Sequence, residues 1–314
     1  MLKYLIKRLL MAIPTVIGIT IIVFMIIHFI PGDPIQIMFG RAPDPVQIEN
    51  LRRFYGLDKP LYIQYFIWLN NILHGNLGRS IQLGLPIFDL IIERFSRTVL
   101  LCIIGMIVSL CISFPTGIIA ASRYNKWQDL VASTACLILI SIPSFWLGIL
   151  LIIVFAVYLH IFPSVGYVSP SVNLYDFLRH IALPALTLGA ALAAVSARIL
   201  RVSLLEVLTQ DYITLAKAKG ASEKRVLFVH ALRNALIPTI TIVGMQTGYV
   251  LGGAIVIERV FAYPGMGLLL ISAIFNRDYP LIQGAVLVFA ITFVVVNLVT
   301  DLIYALIDPK IRYE

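Results

Sequence analysis

Val99-Leu-Leu-Cys-Ile-Ile-Gly-Met-Ile-Val-Ser-Leu-Cys-Ile-Ser-Phe-Pro-Thr-Gly-Ile-Ile-Ala-Ala121 carries no acidic or basic side chain. A helix needs ~20 mostly apolar residues to cross ~30 Å of hydrocarbon, and this run supplies them. Working outward, five further runs qualify: about Leu9–Ile30, about Leu130–Leu159 broken by Pro143, the Ala- and Gly-rich Ile181–Leu200, Ala235–Ile257 and Gly284–Ile307. The sequence predicts an all-α integral membrane protein of six transmembrane helices, with bends at Pro143 and Pro184.

Composition agrees with that reading. Of 314 residues, 60% are hydrophobic and 13% charged, against ~45–50% and ~25% in soluble domains. The mean hydropathy is +0.95. Such a chain cannot coat a water-soluble body, which excludes disorder, a coiled coil and an ordinary soluble enzyme. The net charge of +8 follows from basic residues gathered in short cytoplasmic loops. Lys3, Lys7 and Arg8 precede the first run, and Arg123 and Lys126 separate the second from the third. Arg198, Arg201, Lys217, Lys219, Lys224, Arg225 and Arg233 lie around the connection from fourth to fifth, and Lys310 and Arg312 follow the sixth. All fall on one side of six alternating spans, so both termini are expected in the cytoplasm. Cys102, Cys111 and Cys136 lie in apolar runs, an odd set suited to packing rather than to a disulfide framework or metal cluster. The first run exceeds a signal peptide's ~7–15-residue core and is expected to remain as an anchor.

Three regions follow: residues 1–30, a first transmembrane helix; 31–98, an outside helical loop; and 99–314, a core of five spans. Within the loop, Val46–Tyr55, Leu61–Leu73 and Pro86–Phe95 read as helices. The second has Pro60 at its start, Gly75 beyond its end, and aromatics suited to the interface. Such a loop is either a cap that ties helix ends together or a docking surface.

The connection 204–235 is the other segment outside the spans. Leu204, Val207, Leu208, Tyr212, Leu215 and Ala218 recur at helical spacing, Gly220 follows as a stop, and Ser222 can cap the next helix. The product is a cytoplasmic helix–turn–helix elbow, with Ala216 and Ala218 small enough for close approach of a partner. Its attachment to two spans argues against a nucleic-acid partner.

These residues resemble the integral-membrane permeases of bacterial binding-protein-dependent ABC importers. Ala216…Gly220…His230…Arg233-Asn234-Ala235…Pro238 is similar to that family's cytoplasmic "EAA" loop, although its naming acidic residue is absent and Thr214 stands about where it would fall. Pro31-Gly-Asp-Pro34, Tyr55-Gly-Leu-Asp-Lys-Pro-Leu61, Gly75-Asn-Leu-Gly78, Pro163-Ser-Val-Gly166, Phe261-Ala-Tyr-Pro-Gly265, Arg277-Asp-Tyr-Pro280 and Asp308-Pro309 resemble the first permease subunit of its dipeptide/oligopeptide/nickel/glutathione branch. The resemblance implies a second, related permease, two ATPase subunits that use ATP and Mg on the elbows, and an extracytoplasmic binding protein. It implies a peptide as cargo, with a nickel chelate or glutathione as alternatives, and a place in the cytoplasmic membrane. Tyr212, Ala216, Ala218, Gly220, Ala221, His230, Arg233 and Asn234 then become the ATPase-coupling residues.

No phosphate-cradling G-x-x-x-x-G-K-[ST] occurs, so no ATP hydrolysis is expected in this chain. No cofactor, metal set or catalytic constellation is legible either. Polar residues at span level are costly and point to function. Gln246, Tyr249 and Asn297 either line a translocation pathway or tie helices together, and Gly244, Gly248, Gly252 and Gly253 suit a close crossing. Asp301 is expected to pair with Arg198 or Arg201. The rival classes are an ion-gradient transporter, disfavoured by the scarcity of carboxylates at mid-membrane, and an intramembrane enzyme.

Overall fold

A computed structural model describes residues 2–29 and 58–307. Among these the chain is helical, and its strand-like pairing is one isolated bridge, Arg79 to Pro86. The helices are α1 (Leu2–Phe29), α2 (Leu61–Leu73), α3 (Ile87–Ser122), α4 (Trp127–Ser141) and α5 (Ser144–Leu151, continuing as a π-helix through Tyr158). They continue with α6 (Leu174–Leu208), α7 (Asp211–Ala218), α8 (Glu223–Val260), α9 (Met266–Phe275) and α10 (Tyr279–Ile307). The expected helix Val46–Tyr55 lies outside the described residues, as does the side chain of Asp301.

Among the described residues, four helices are long and apolar enough to cross a membrane: α3, α6, α8 and Tyr279–Thr300 of α10. The expected third span is broken at Pro143, as its sequence predicts. It is two helices, α4 and α5 with its π extension, that meet at 109°. The cause is local. Pro143 has no N–H to donate and its ring forces the preceding residue out of the helical region, and Ile142 accordingly sits at φ −83°, ψ 127°. Pro184 does not act this way: α6 runs on through it from Leu174 to Leu208. Counting the bent pair as one span gives up to five crossings among the described residues, with Leu10–Met25 of α1 a shorter apolar helix. Helix α9 was not anticipated.

The chain divides into two units. One comprises 2–97 with Gly265–Val295, the other Thr98–Pro264 with the chain from Val296 onward. In the first, Ile87, Leu90 and Ile91 of α3 pack with Met266, Leu269 and Ala273 of α9 and Leu281, Ile282 and Ala285 of α10. The Arg277-Asp-Tyr-Pro280 motif has a clear task here. Asp278 is buried, takes a hydrogen bond from Ser80 Oγ at 2.5 Å and from Gln82 N at 3.3 Å, and caps α10 through Leu281 N at 3.4 Å. The 79–86 turn is thereby anchored by one carboxylate. On α2, Tyr65 meets Thr20 of α1 hydroxyl to hydroxyl at 2.8 Å, and Phe24 packs edge-on against its ring.

In the second unit α6 is the central helix, contributing Ile181, Leu183, Ala185 and Leu188 to a core shared with Leu101, Val250, Ile257, Phe261 and Tyr263. The tightest crossing lies between α3 and α6. A methyl group on Gly189 would stand 2.6 Å from the Gly105 carbonyl oxygen and 2.8 Å from Val108 Cγ1. Small residues let membrane helices approach this closely. The Phe261-Ala-Tyr-Pro motif ends α8: Tyr263 N bonds Glu258 O at 2.9 Å and Ala262 N bonds Arg259 O at 3.4 Å, with Ala262 at φ 46°. This is a Schellman turn with alanine where glycine is usual. Tyr263 is fully buried beneath it and meets Tyr167 edge-on at 5.3 Å, while Gly166 N bonds Phe261 O at 3.0 Å. Two motifs far apart in sequence thus close one joint. In the last turn of α8, Glu258 is fully buried and accepts a 2.5 Å hydrogen bond from Thr98.

Candidate functional site

The elbow between α6 and α8 begins where α6 stops at Leu208. Thr209 Oγ1 turns back onto Glu206 O at 2.8 Å, and Gln210 adopts an extended φ −74°, ψ 149°. Here the structure departs from the single helix that the 204–218 spacing predicts. Side chains able to bond nearby backbone offer it an alternative to the helix, and the chain restarts as α7 with Asp211 in its first turn.

The break rotates α7, and the residue it buries is Ile213, fully enclosed among Leu200 and Leu204 of α6 and Val226, Ala231 and Ala235 of α8. Tyr212 and Leu215, which continue the apolar stripe of α6 on paper, are 41% and 55% exposed. Full burial of a side chain of this size stabilises by ~1.5–3 kcal/mol, so Ile213 is the peg that seats α7.

The turn that follows is a Schellman motif. Ala221 N bonds Ala216 O at 3.1 Å, Gly220 N bonds Lys217 O at 2.9 Å, and Gly220 sits at φ +83°. Left-handed backbone is what glycine tolerates and other residues do not. Ser222 then caps α8 by accepting from Arg225 N at 3.4 Å. The first turns of α8 widen into a π-helix over Val226–Ala231, a feature often found at functional sites.

Of the residues singled out by sequence, Tyr212 and Asn234 are brought together: the Asn234 amide donates to the Tyr212 hydroxyl at 2.7 Å. Ala218, Gly220 and Arg233 are exposed, Ala216 and His230 half-buried, and Ala221 packs against the Ile213 core. Phe228 and Val229, 54% and 56% exposed, were not anticipated. Their signal was present: Val226-Leu-Phe-Val229 is apolar on successive residues, and a helix with one buried face cannot hide four in a row. Together with Leu215 they give an elbow of charged residues an exposed apolar surface.

The proposed pathway residues separate. Gln246 is buried and tied between helices: Ser196 Oγ donates to its Oε1 at 3.1 Å, and its Nε2 donates to Leu192 O at 3.3 Å. This arrangement fits the alternative of tying helices together, since each end of the amide has a partner. Tyr249 is 73% exposed and Asn297 half-buried. The partner of Arg201 is Asp129, bound through Nε at 2.6 Å and Nη2 at 2.8 Å. Among the described residues no group of His, Cys, Asp and Glu is arranged to hold a metal ion.

The described residues form a helical body with four apolar spans and a seated elbow. The chain belongs to the family described as binding-protein-dependent transport system inner membrane component, whose profile matches residues 113–313, while the matching N-terminal component covers 1–102. It is an ABC importer permease subunit, a non-catalytic component of the inner membrane. It is 45% identical over 314 residues, all of both chains, to the glutathione transport system permease protein GsiC of Escherichia coli strain CFT073. The same identity and coverage hold for GsiC of Escherichia coli K12 and of Shigella dysenteriae. The fold is shared with the MetNI methionine ABC transporter in an inward-facing conformation (TM-score 0.58, 17% identity, 70% of this chain and 96% of that one). It is shared too with an amino acid ABC transporter crystallised with histidines (TM-score 0.53, 12% identity, 69% and 94%).

Proposed function

We propose that this chain forms half of the conduit of an importer for glutathione or a peptide of similar size. The observation that carries the cargo is its 45% identity, end to end, to permeases named for glutathione transport. Glutathione is itself a tripeptide, so the peptide reading and the glutathione reading describe neighbouring chemistry.

In this reading α1 and the bent α4–α5 pair complete six crossings, and both termini face the cytoplasm with the elbow. The distribution of Lys and Arg supports that orientation. A second, related permease completes the pore, an extracytoplasmic binding protein delivers cargo, and two ATPase subunits using ATP and Mg sit on the elbows. Movement of an ATPase is transmitted through the Tyr212–Ser222 segment. Leu215, Phe228 and Val229 supply its apolar contact, the Gly220 turn sets its angle, and Ile213 carries the displacement into the cores of α6 and α8. Tyr249 and Asn297 line the pathway.

The test is uptake in cells stripped of their own importers, carrying this chain with its neighbouring subunits and offered labelled glutathione or a labelled dipeptide. ATP-dependent glutathione uptake that disappears with Gly220→Arg is the expected result. Uptake of the dipeptide alone would overturn glutathione as the cargo, and uphill transport by the lone chain on an ion gradient would overturn the coupling mechanism.

A further inference from the structure

Between the facing ends of α3, α4 and α6 lie two adjoining cavities of about 310 and 530 Å³ that share Ser133 and Arg201 in their walls. The first is walled by Ala120, Ala132, Leu137, Ala197 and Val202, with Arg198 at its side. The second opens past Lys126 and Trp127. Apolar wall and guanidinium groups thus share the first cavity, which Arg201 also lines, and Lys126 adds a further cation in the second.

The charge balance within it is specific. Arg201 is neutralised by Asp129, whose carboxylate also takes bonds from Ser133 Oγ at 3.2 Å and Asn125 N at 3.1 Å. The Arg201 guanidinium lies over the Tyr124 ring at 5.6 Å. That acid is fully engaged and cannot serve the other two cations. Arg198 and Lys126 are exposed and, among the described residues, make no ion pair. Trp127 and Tyr124 stand at the rim, 70% and 53% exposed, and aromatic rings of this kind settle at the depth of lipid headgroups.

We infer that this cleft holds one anionic phospholipid, its phosphate between Arg198 and Lys126 and an acyl chain against the Leu137 and Val202 wall. Basic pockets between transmembrane helices take anionic headgroups, and a soluble anion would have no use for the apolar half. The Asp129–Arg201 pair then serves as a rigid floor that positions the cationic end without adding net charge. Occupancy would pin the α4 end of the bent pair to α6, which itself carries the elbow.

The test is native mass spectrometry of the full chain with its co-purifying subunits, stripped of lipid and exposed to phosphatidylglycerol or phosphatidylethanolamine with identical chains. The wild type should retain one phosphatidylglycerol about twenty-five-fold more tightly. K126Q/R198Q should bind both lipids within about twofold of each other, since ~1 kcal/mol of attraction is lost for each charge removed, a factor of about five each. Both replaced side chains are exposed and make no ion pair, so the variant should fold. K59Q/R79Q, which removes two charges elsewhere, should keep the preference. Equal retention by the wild type, or a preference that survives K126Q/R198Q, would overturn the inference. Displacement by free glycerol phosphate as effective as by lipid would make this a soluble-anion site instead, and a Ser133→Cys cross-link to the second permease would make it a protein interface. Either would overturn it.

Discussion

The Asn234 side chain of α8 reaches the Tyr212 hydroxyl of α7 across 2.7 Å, joining the two arms of the elbow. Asn234 and Tyr212 are both exposed, so water competes for the bond and its net worth is ~0.5–1.5 kcal/mol. Its use is geometric: it restricts how α7 can tilt when pushed.

Tyr212→Phe and Asn234→Ala should therefore leave the amount of inserted permease unchanged and lower the ratio of cargo moved to ATP consumed. The double variant should be no worse than either single one, since each removes the same bond. That comparison is read from ATPase and uptake rates measured on the same proteoliposomes.

At Gly220 no heavy atom lies within 4 Å of where a Cβ would stand, yet φ is +83°. The cost of a side chain is therefore backbone strain rather than a clash. Gly220→Ala should destabilise the turn by ~1–2 kcal/mol. Gly220→Asn should cost less, because asparagine visits this region more readily. Gly220→Val should cost more, since β-branched residues are least at ease there. Protease nicking of the 209–222 segment is the measurement, with cleavage rising in the order Asn, Ala, Val.

Breaking the Asp129–Arg201 pair should be costly. Arg201→Gln leaves a carboxylate whose side chain is 7% exposed without its main partner, a loss of ~3–5 kcal/mol where burial is complete and somewhat less here. Asp129→Asn/Arg201→Gln should recover part of it, because no buried charge then stands alone. Thermal melts of the two variants and the wild type in one detergent decide the order.

Gly189→Val should abolish folding of the second unit rather than transport alone. A methyl group there already meets backbone at 2.6 Å, and backbone cannot rotate away. Overpacking costs ~1–3 kcal/mol even where side chains can yield. Gly252→Ala is the contrast: nothing lies within 4 Å of its added atom, and it should be neutral. Fluorescence-detected size exclusion separates them.

Ile213→Ala should detach α7 without disturbing the spans. Removing a fully buried isoleucine costs ~2–5 kcal/mol, which exceeds what the Tyr212 bond alone can hold. Hydrogen exchange should rise over 211–221 and stay low in α6 and α8.

Much of this was legible in order of appearance along the chain. Apolar length marked α3, α6, α8 and α10, because a bilayer demands it of any crossing helix. Leu61–Leu73 was readable to the residue, since Pro60 and Gly75 bracket it. Gly220 and Ser222 announced the turn and the cap by chemistry that acts over a few residues. The elbow's facing was less legible: a two-residue break at Thr209 and Gln210 rotates everything after it, so the stripe that includes Tyr212 and Leu215 turns outward and Ile213 turns in. Gln246 read as a pathway residue for a related reason, because its partners, Ser196 and Leu192, lie about fifty positions away.

By itself, then, the sequence determined the apolar helices α3, α6, α8 and α10 and the stops at Pro143 and Gly220, since those depend on solvent and on neighbours within a turn, but neither α9 nor the break after Leu208. Only the tertiary structure decided which of Gly105, Gly189 and the α8 glycines meet another backbone, that Asp129 rather than another acid takes Arg201, and which face of α7 is left for a partner. Each is a relation between segments far apart in sequence, and periodicity along one helix contains no information about what stands opposite it.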